Sequence, residues 1–264
     1  MEALISTAEA ARLAGVGTTS VKRWADEGLL PCQKTAGGHR RFVRYEVERF
    51  LRELSPDALF SSSQSWLELL TFANTPKLHA ALLEARGRLG AWYRVCDELG
   101  PVFSRLGEQW ACGNVSVLQE HVASERIRRA MSFVSEGLPV PMPSPTCLLA
   151  CAEGDEHTLG LSLAELCLRE AGWSTLWAGR RTPATDIAEA VVQGEVEMVA
   201  LSASIASPDC AVLERQLAVI GEACQRHRVP LVLGGSGAWP EHSAPNHRFT
   251  AFQPFAHWLE QERE

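Results

Sequence analysis

Three groups of side chains in this 264-residue chain could do chemistry. Asp155, His157 and Gly160 form a D-x-H-x-x-G frame, in which an imidazole, a common metal ligand, stands two residues from a carboxylate. Arg40 and Arg41 are adjacent guanidinium groups after Gly37, Gly38 and His39, and paired arginines suit phosphate oxygens. Trp110 is followed after nine residues by Glu120 and His121, an aromatic face near a second carboxylate and imidazole. Taken singly, each has a plainer reading. A histidine opening a helix is often structural, Trp110 reads as a bundle-core aromatic, and His121 reads as a core or surface histidine. The arginines read as solvated charges.

The elements that must carry these residues fall into three stretches. A Ser-rich segment, Ser55-Pro56-Asp57 to Ser61-Ser62-Ser63-Gln64-Ser65, and the proline run from Pro139 to Pro145 interrupt the periodic pattern. They predict domains at 1–54, 64–138 and 145–264. Residues 66–138 carry helical apolar spacing, as in Leu78, Leu82, Leu89, Trp92, Val95 and Leu99, then Val117, His121, Ile127 and Met131. From Thr146 short apolar runs alternate with amphipathic stretches, which predicts a parallel sheet with helices on both faces. In such a sheet ligands collect at the carboxyl ends of strands. Asp155 to Gly160 follow the first predicted strand, Ser202-Ala203-Ser204 the third and Gly234-Gly235-Ser236-Gly237 the fourth, so three segments converge on one crevice. Small residues there let a bulky ligand approach the backbone.

In the first stretch, Ser6 and Glu9 form a capping-box pair opening a helix over Thr7 to Ala14. A turn at Gly15-Val16-Gly17 and a second helix from about Thr18 to Glu27 complete a helix-turn-helix pattern. Trp24, Leu29, Phe42, Val47, Phe50 and Leu51 are its expected core. With the runs S-T-A-E-A-A-R-L-A-G-V, S-V-K-R-W and G-G-H-R-R-F, residues 4–54 resemble the MerR family of winged helix-turn-helix regulators. The resemblance implies that Thr19, Ser20, Lys22 and Arg23 face the major groove of operator DNA. It places His39, Arg40 and Arg41 on a wing that lies along phosphates.

The D-x-H-x-x-G frame resembles the signature of cobalamin-binding Rossmann-like domains. That resemblance implies that His157 is the lower axial ligand of cobalt, displacing the cofactor's benzimidazole, and that Asp155 orients its ring. It also implies that Gly160, Ser202, Gly234 and Gly235 line the slot for the nucleotide tail. The chain departs from many relatives in carrying Ser-Ala-Ser after the third strand. The W-x9-E-H pattern resembles the cap bundle of CarH-type photoreceptors. By that resemblance Trp110 packs over an adenosyl group, Glu120 contacts its sugar, and His121 ligates cobalt once light has removed it. The implied fold is multidomain: an all-α winged helix-turn-helix head, a four-helix-bundle cap and an α/β, flavodoxin-like cobalamin-binding domain.

The rest of the composition narrows the class. Net charge is -7, yet residues 1–54 hold nine Lys/Arg against seven Asp/Glu, so a mildly basic head precedes an acidic body. The eight cysteines show no C-x-x-C pair and no zinc spacing, which predicts reduced, mostly buried thiols. No stretch approaches the roughly 18 apolar residues of a membrane span, and a cytoplasmic location is expected. Cobalamin enzymes use a substrate domain, commonly a barrel of about 250 residues, for which there is no room. The reading is therefore a regulator, acting as a repressor, that senses light through adenosylcobalamin. The alternative is a light-independent sensor of methylcobalamin or any cobalamin. One head contacts few base pairs, so a dimer or tetramer is expected.

Overall fold

A computed structural model describes residues 4–14, 18–26, 28–35, 37–44, 46–47, 50, 63–240 and 247–262. They belong to two units, Met1–Ser65 and Trp66–Glu264. The turn at Gly15 to Gly17, Glu27, Leu51 and residues 55–62 lie outside the described residues.

In the first unit, β1 (Leu4–Ser6) leads into α1 (Thr7–Ala14), and α2 (Thr18–Asp26) is followed by β2 (Gln33–Lys34) and β3 (Arg40–Val43). The expected capping box forms: the Ser6 backbone N–H donates to Glu9 Oε2 at 2.7 Å, and the Glu9 N–H donates to Ser6 Oγ at 3.3 Å. The head is not all-α. β3 is the centre of a three-stranded antiparallel sheet, paired with β2 on one side and β1 on the other. The strand before the cap was hidden because three residues give no alternation to read. Phe42 and Val47 enter the core as expected, with Trp24 and Phe50 packed against it, and Val21 joins them without having been expected. Leu29 does not. Gly28 turns the chain at φ 73°, which leaves Leu29 56% exposed and buries Leu30 instead.

The second unit opens with four successive helices, α3 (Ser63–Phe72), α4 (Thr75–Leu89), α5 (Trp92–Ala111) and α6 (Val117–Gly137). Helix α3 begins inside the stretch expected as linker. Asn74 caps α4 by accepting from the Lys77 N–H at 3.0 Å, Gly90 ends it in the left-handed region, and Ser116 with Gln119 forms a capping box on α6. The apolar spacing buries Leu78, Leu82, Trp92, Val95, Leu99, Ile127 and Met131, whereas Val117, in the first turn of α6, stays exposed. Trp66 is fully buried and donates through Nε1 to Glu98 Oε1 at 2.6 Å.

A five-stranded sheet follows, built from β4 (Thr146–Cys151), β5 (Ser174–Gly179), β6 (Met198–Ser202), β7 (Leu231–Gly234) and β8 (His247–Phe249). Its order is β5-β4-β6-β7-β8 and every pairing is parallel. That is the flavodoxin-like order, whose switch point lies at the ends of β4 and β6. The crossovers are α7 (Leu159–Glu170), α8 (Ala184–Gln193) and α9 (Cys210–His227), and α10 (Phe252–Gln261) follows β8. The fifth strand and α10 had no counterpart in the sequence reading.

The helices and the sheet interlock through reciprocal caps. Glu170, at the end of α7, accepts from the Trp92 N–H that starts α5 at 2.8 Å and from Arg86 Nε at 2.9 Å. Asp97 of α5 accepts from the Phe252 and Gln253 N–H groups that start α10, at 2.7 and 3.1 Å. Cys96 is buried against the Leu163 carbonyl of α7, and burial pushes its thiol pKa well up, so it is inert.

Removing Trp66 tests where this unit's stability sits. Trp66→Ala should cost about 3–5 kcal/mol in urea unfolding followed by near-ultraviolet circular dichroism. Phe72→Ala, at an 81% exposed position, should stay within about 0.5 kcal/mol of the parent.

Candidate cofactor site

The carboxyl ends of β4 and β6 bring the D-x-H-x-x-G frame against the Ser-Ala-Ser segment. Asp155 is the centre of the arrangement. Its side chain is 0% exposed, so its oxygens need full compensation. Oδ1 accepts from the His157 N–H at 2.8 Å and faces His157 Nδ1 at 2.9 Å. Oδ2 accepts from the Ser204 N–H at 2.6 Å and from Ser207 Oγ at 2.7 Å. Burial opposes ionisation of Asp155, but these bonds from His157, Ser204 and Ser207 outweigh it and hold the carboxyl well below the ordinary carboxylate range.

His157 is thereby fixed by one edge. Its Nδ1 also lies 3.1 Å from Ser204 Oγ, while 63% of its side chain faces solvent. Among the described residues no hydrogen bond engages Nε2, and in the neutral ring with its proton on Nδ1, toward Asp155, Nε2 carries the lone pair that a metal would take. The hydrogen bond to Asp155 raises the His157 pKa, burial pulls the other way, and the charges of Asp155, Glu120 and Glu156 add to the rise. Glu120 belongs to α6, so its charge reaches the β4–α7 segment.

The small residues around this histidine are required by close packing. A Cβ on Gly237 would stand 2.4 Å from Ala203 Cβ, and one on Gly235, already at φ 84°, would stand 2.2 Å from Ala203 O. At Gly160 it would meet Ser202 Oγ at 3.1 Å. Gly234, Gly235 and Ser202 lie at the ends of neighbouring strands, as expected, with Ser202 paired to Gly234. Gly234 itself is less constrained, since its nearest atom would be 3.9 Å away.

The second predicted group lies on the helices. Trp110, near the end of α5, is 48% exposed, and the side chains of Glu120 and His121, in the first turns of α6, are 24% and 72% exposed. Glu120 accepts from Ser124 Oγ at 2.6 Å and lies 3.8 Å from His121 Nε2. Val117 and Leu118 beside them are exposed at 52% and 72%. An exposed aromatic and two exposed aliphatics in one short stretch make an apolar rim that the core does not use. Sequence reasoning missed Ser204 and Ser207 as partners of Asp155. The Ser-Ala-Ser departure was the available signal, because extra hydroxyls at a strand end need a polar partner.

In the first unit, Thr19, Lys22 and Arg23 lie on the exposed side of α2, with Val21 buried opposite. Ser20 is on the same helix. A groove of about 680 Å³ is lined by Lys22, Lys34, His39, Arg40, Arg41 and one acid, Asp26. Asp26 pairs with Arg40 at 2.5 Å, and the Arg40 side chain is 19% exposed.

Comparison with known proteins agrees with this division. A helix-turn-helix domain family matches residues 4–55, and two B12-binding domain families match residues 64–134 and 145–247. The monomethylamine corrinoid protein of Methanosarcina barkeri shares the fold, with a TM-score of 0.58 at 15% identity over 79% of this chain and all of that one. Head and B12-binding domains together define a cobalamin-binding transcriptional regulator. The HTH-type transcriptional repressor CarA of Myxococcus xanthus is 36% identical over 86% of this chain and 85% of its own length. The repressor CarH of the same organism is 26% identical over 87% and 88%. The chain belongs to this CarA/CarH family.

The pKa of His157 is directly testable in the cofactor-free protein. Its ring resonances should titrate above the ordinary histidine range, and Asp155→Asn should bring them back toward it. Because the folded-state pKa is raised, the pair's contribution to stability is complete below the unfolded-state value. It should disappear as pH rises through the folded-state value.

Proposed function

We propose that the chain is a light-responsive repressor whose signal is read through adenosylcobalamin bound between the sheet and the helices, with His157 as the lower ligand of cobalt. The observation that carries this reading is the buried Asp155 network, which commits Nδ1 of His157 and leaves Nε2 without a hydrogen bond among the described residues. Metal-bound histidines characteristically give their other ring nitrogen to a carboxylate. The glycine-lined backbone at Ser202, Gly234 and Gly235 supplies a slot for the nucleotide tail. Gly160 belongs to the same wall.

The bound cofactor supplies a photolabile cobalt–carbon bond. The remaining work falls to this chain. In this reading the helices α3–α6 over 64–138 are a four-helix cap. Trp110 covers the adenosyl group, Glu120 holds its sugar, and the exposed aliphatics Val117 and Leu118 keep water from that face. His121, 72% exposed, would be a further nitrogen ligand for cobalt in place of the adenosyl group. The exposed Trp110 in the W-x9-E-H pattern, which resembles the cap bundle of CarH-type photoreceptors, supports light sensing over a sensor of methylcobalamin or of any cobalamin.

The head over 1–54 is a winged helix-turn-helix that binds operator DNA, with the domain over 145–264 as its control. Thr19, Ser20, Lys22 and Arg23 read bases. His39, Arg40 and Arg41 lie along phosphates on the hairpin, Arg40 being braced by Asp26. Two or four copies present several heads to one operator, in the cytoplasm, and loss of the adenosyl group disperses them.

His157→Ala should weaken cobalamin binding by about tenfold or more in an absorbance titration, and a parent-like affinity and spectrum would refute the ligand assignment. Arg41→Ala should lower affinity for specific and random DNA alike and reduce the salt slope by about one. Arg23→Ala should instead lose discrimination between them. With adenosylcobalamin, green light should shrink the assembly on size exclusion and weaken operator binding. With methylcobalamin in the dark the assembly should already be small. Identical size and DNA affinity before and after light would leave a light-independent sensor.

A further inference from the structure

Three consecutive residues enter the cofactor crevice from β4, and their side chains are held from two directions. Asp155 reaches toward β6, where Ser204 and Ser207 receive it. Glu156 reaches the other way. Its Oε1 accepts from Arg181 Nε, and its Oε2 accepts from Arg180 Nη1 at 3.4 Å. Both arginines follow β5, which lies on the opposite side of β4 from β6. The segment that carries His157 is therefore tied to both neighbouring strand ends at once.

The ties differ in kind. The Asp155 side chain is buried, whereas Glu156 is 42% exposed and its arginines 56% and 79%. Exposed ion pairs contribute little to global stability. Two guanidinium groups converging on one carboxylate can still restrict where that carboxylate, and the loop behind it, may sit. The backbone adds a second sign. Arg181 adopts φ 59°, one of two non-glycine residues in the left-handed region among the described residues. A residue with a Cβ is disfavoured there and persists only where its surroundings hold it. At Arg181 the side chain that results is the one bonded to Glu156.

We infer that Glu156, held by Arg181 and Arg180, is a positioning residue that fixes the His157 segment from the β5 side and so sets the aim of the imidazole. This role rests on the proposed use of His157 as a cobalamin ligand. Glu156 touches no cobalt. It narrows the orientations of the loop before the cofactor arrives, so its loss should show in binding and not in folding.

The test uses the full-length protein and adenosylcobalamin in the dark, with Glu156→Gln, Arg181→Gly, the double variant and His157→Ala. Affinity is read by absorbance titration at low and high salt, and the melting temperature of each cofactor-free protein is recorded. Glu156→Gln and Arg181→Gly should each bind about three- to tenfold more weakly, and the double variant no worse than the weaker single. Parent affinity should fall with salt, because exposed pairs are screened, and that dependence should flatten in both variants. The cofactor-free melting temperature of Glu156→Gln should match the parent, and that of Arg181→Gly should not fall below it. Arg181→Gly is the sharper of the two, since glycine relieves the left-handed backbone while deleting the guanidinium. Parent-like or tighter binding by Arg181→Gly overturns the inference, as does an additive double variant. If Glu156→Gln lowers the melting temperature, Arg181→Gly, which leaves the His157 segment unaltered, decides. Parent-like binding by His157→Ala instead refutes the ligand assignment, separately from this one.

Discussion

A carboxylate with no exposed surface has to find its hydrogen bonds inside the protein, and Asp155 finds four of them from two segments far apart in sequence. Removing an ion from water costs several kcal/mol, of the order of magnitude that decides whether a small domain folds. The bonds from Ser204 and Ser207 therefore hold the β4–α7 segment to the β6–α9 segment. The local geometry around His157 depends on that junction. It sets which histidine nitrogen faces inward, places the crevice at the topological switch point, and brings the Ala203 backbone so close to Gly235 and Gly237 that no side chain fits between them.

The same junction leads outward through α7. This helix opens directly after His157 and Thr158, and its other face is where α5 is braced: Cys96 sits against the Leu163 carbonyl, and Glu170 caps the first turn of α5 at Trp92. Helix α5 in turn carries Trp110 near its far end and caps α10 through Asp97. The histidine segment and the tryptophan are thus joined by continuous packing of α7 against α5. That is the physical minimum a cofactor-sensing protein needs, because a ligand shifts a conformational balance only by contacting its states differently.

Much of this was legible in the residues. The alternation of apolar runs and amphipathic stretches after Thr146 gave the parallel sheet, since strands buried on both faces must be uniformly apolar, as Cys147 to Cys151 are. The D-x-H-x-x-G frame falls at the end of such a strand. What stayed hidden has physical causes. β1 and β8 are three residues each, too short for periodicity, and they exist because a neighbouring strand offers hydrogen bonds. Leu29 and Leu30 have the same chemistry, and only the turn at Gly28 decides which is buried. Ser204, Ser207, Arg180 and Arg181 are polar residues whose roles come from partners distant in sequence. Val117 and Leu118 look like core residues and are not.

The central claim is that His157 presents Nε2 to cobalt, and one spectroscopic experiment addresses it without relying on affinity. The full-length protein, labelled with ¹⁵N at histidine only, is loaded with unlabelled cobalamin, reduced to cobalt(II), and studied by electron paramagnetic resonance. The account predicts superhyperfine splitting from a single ¹⁵N nucleus, lost in His157→Ala. The ¹⁴N pattern of the cofactor's own benzimidazole, unchanged by the label, would contradict it.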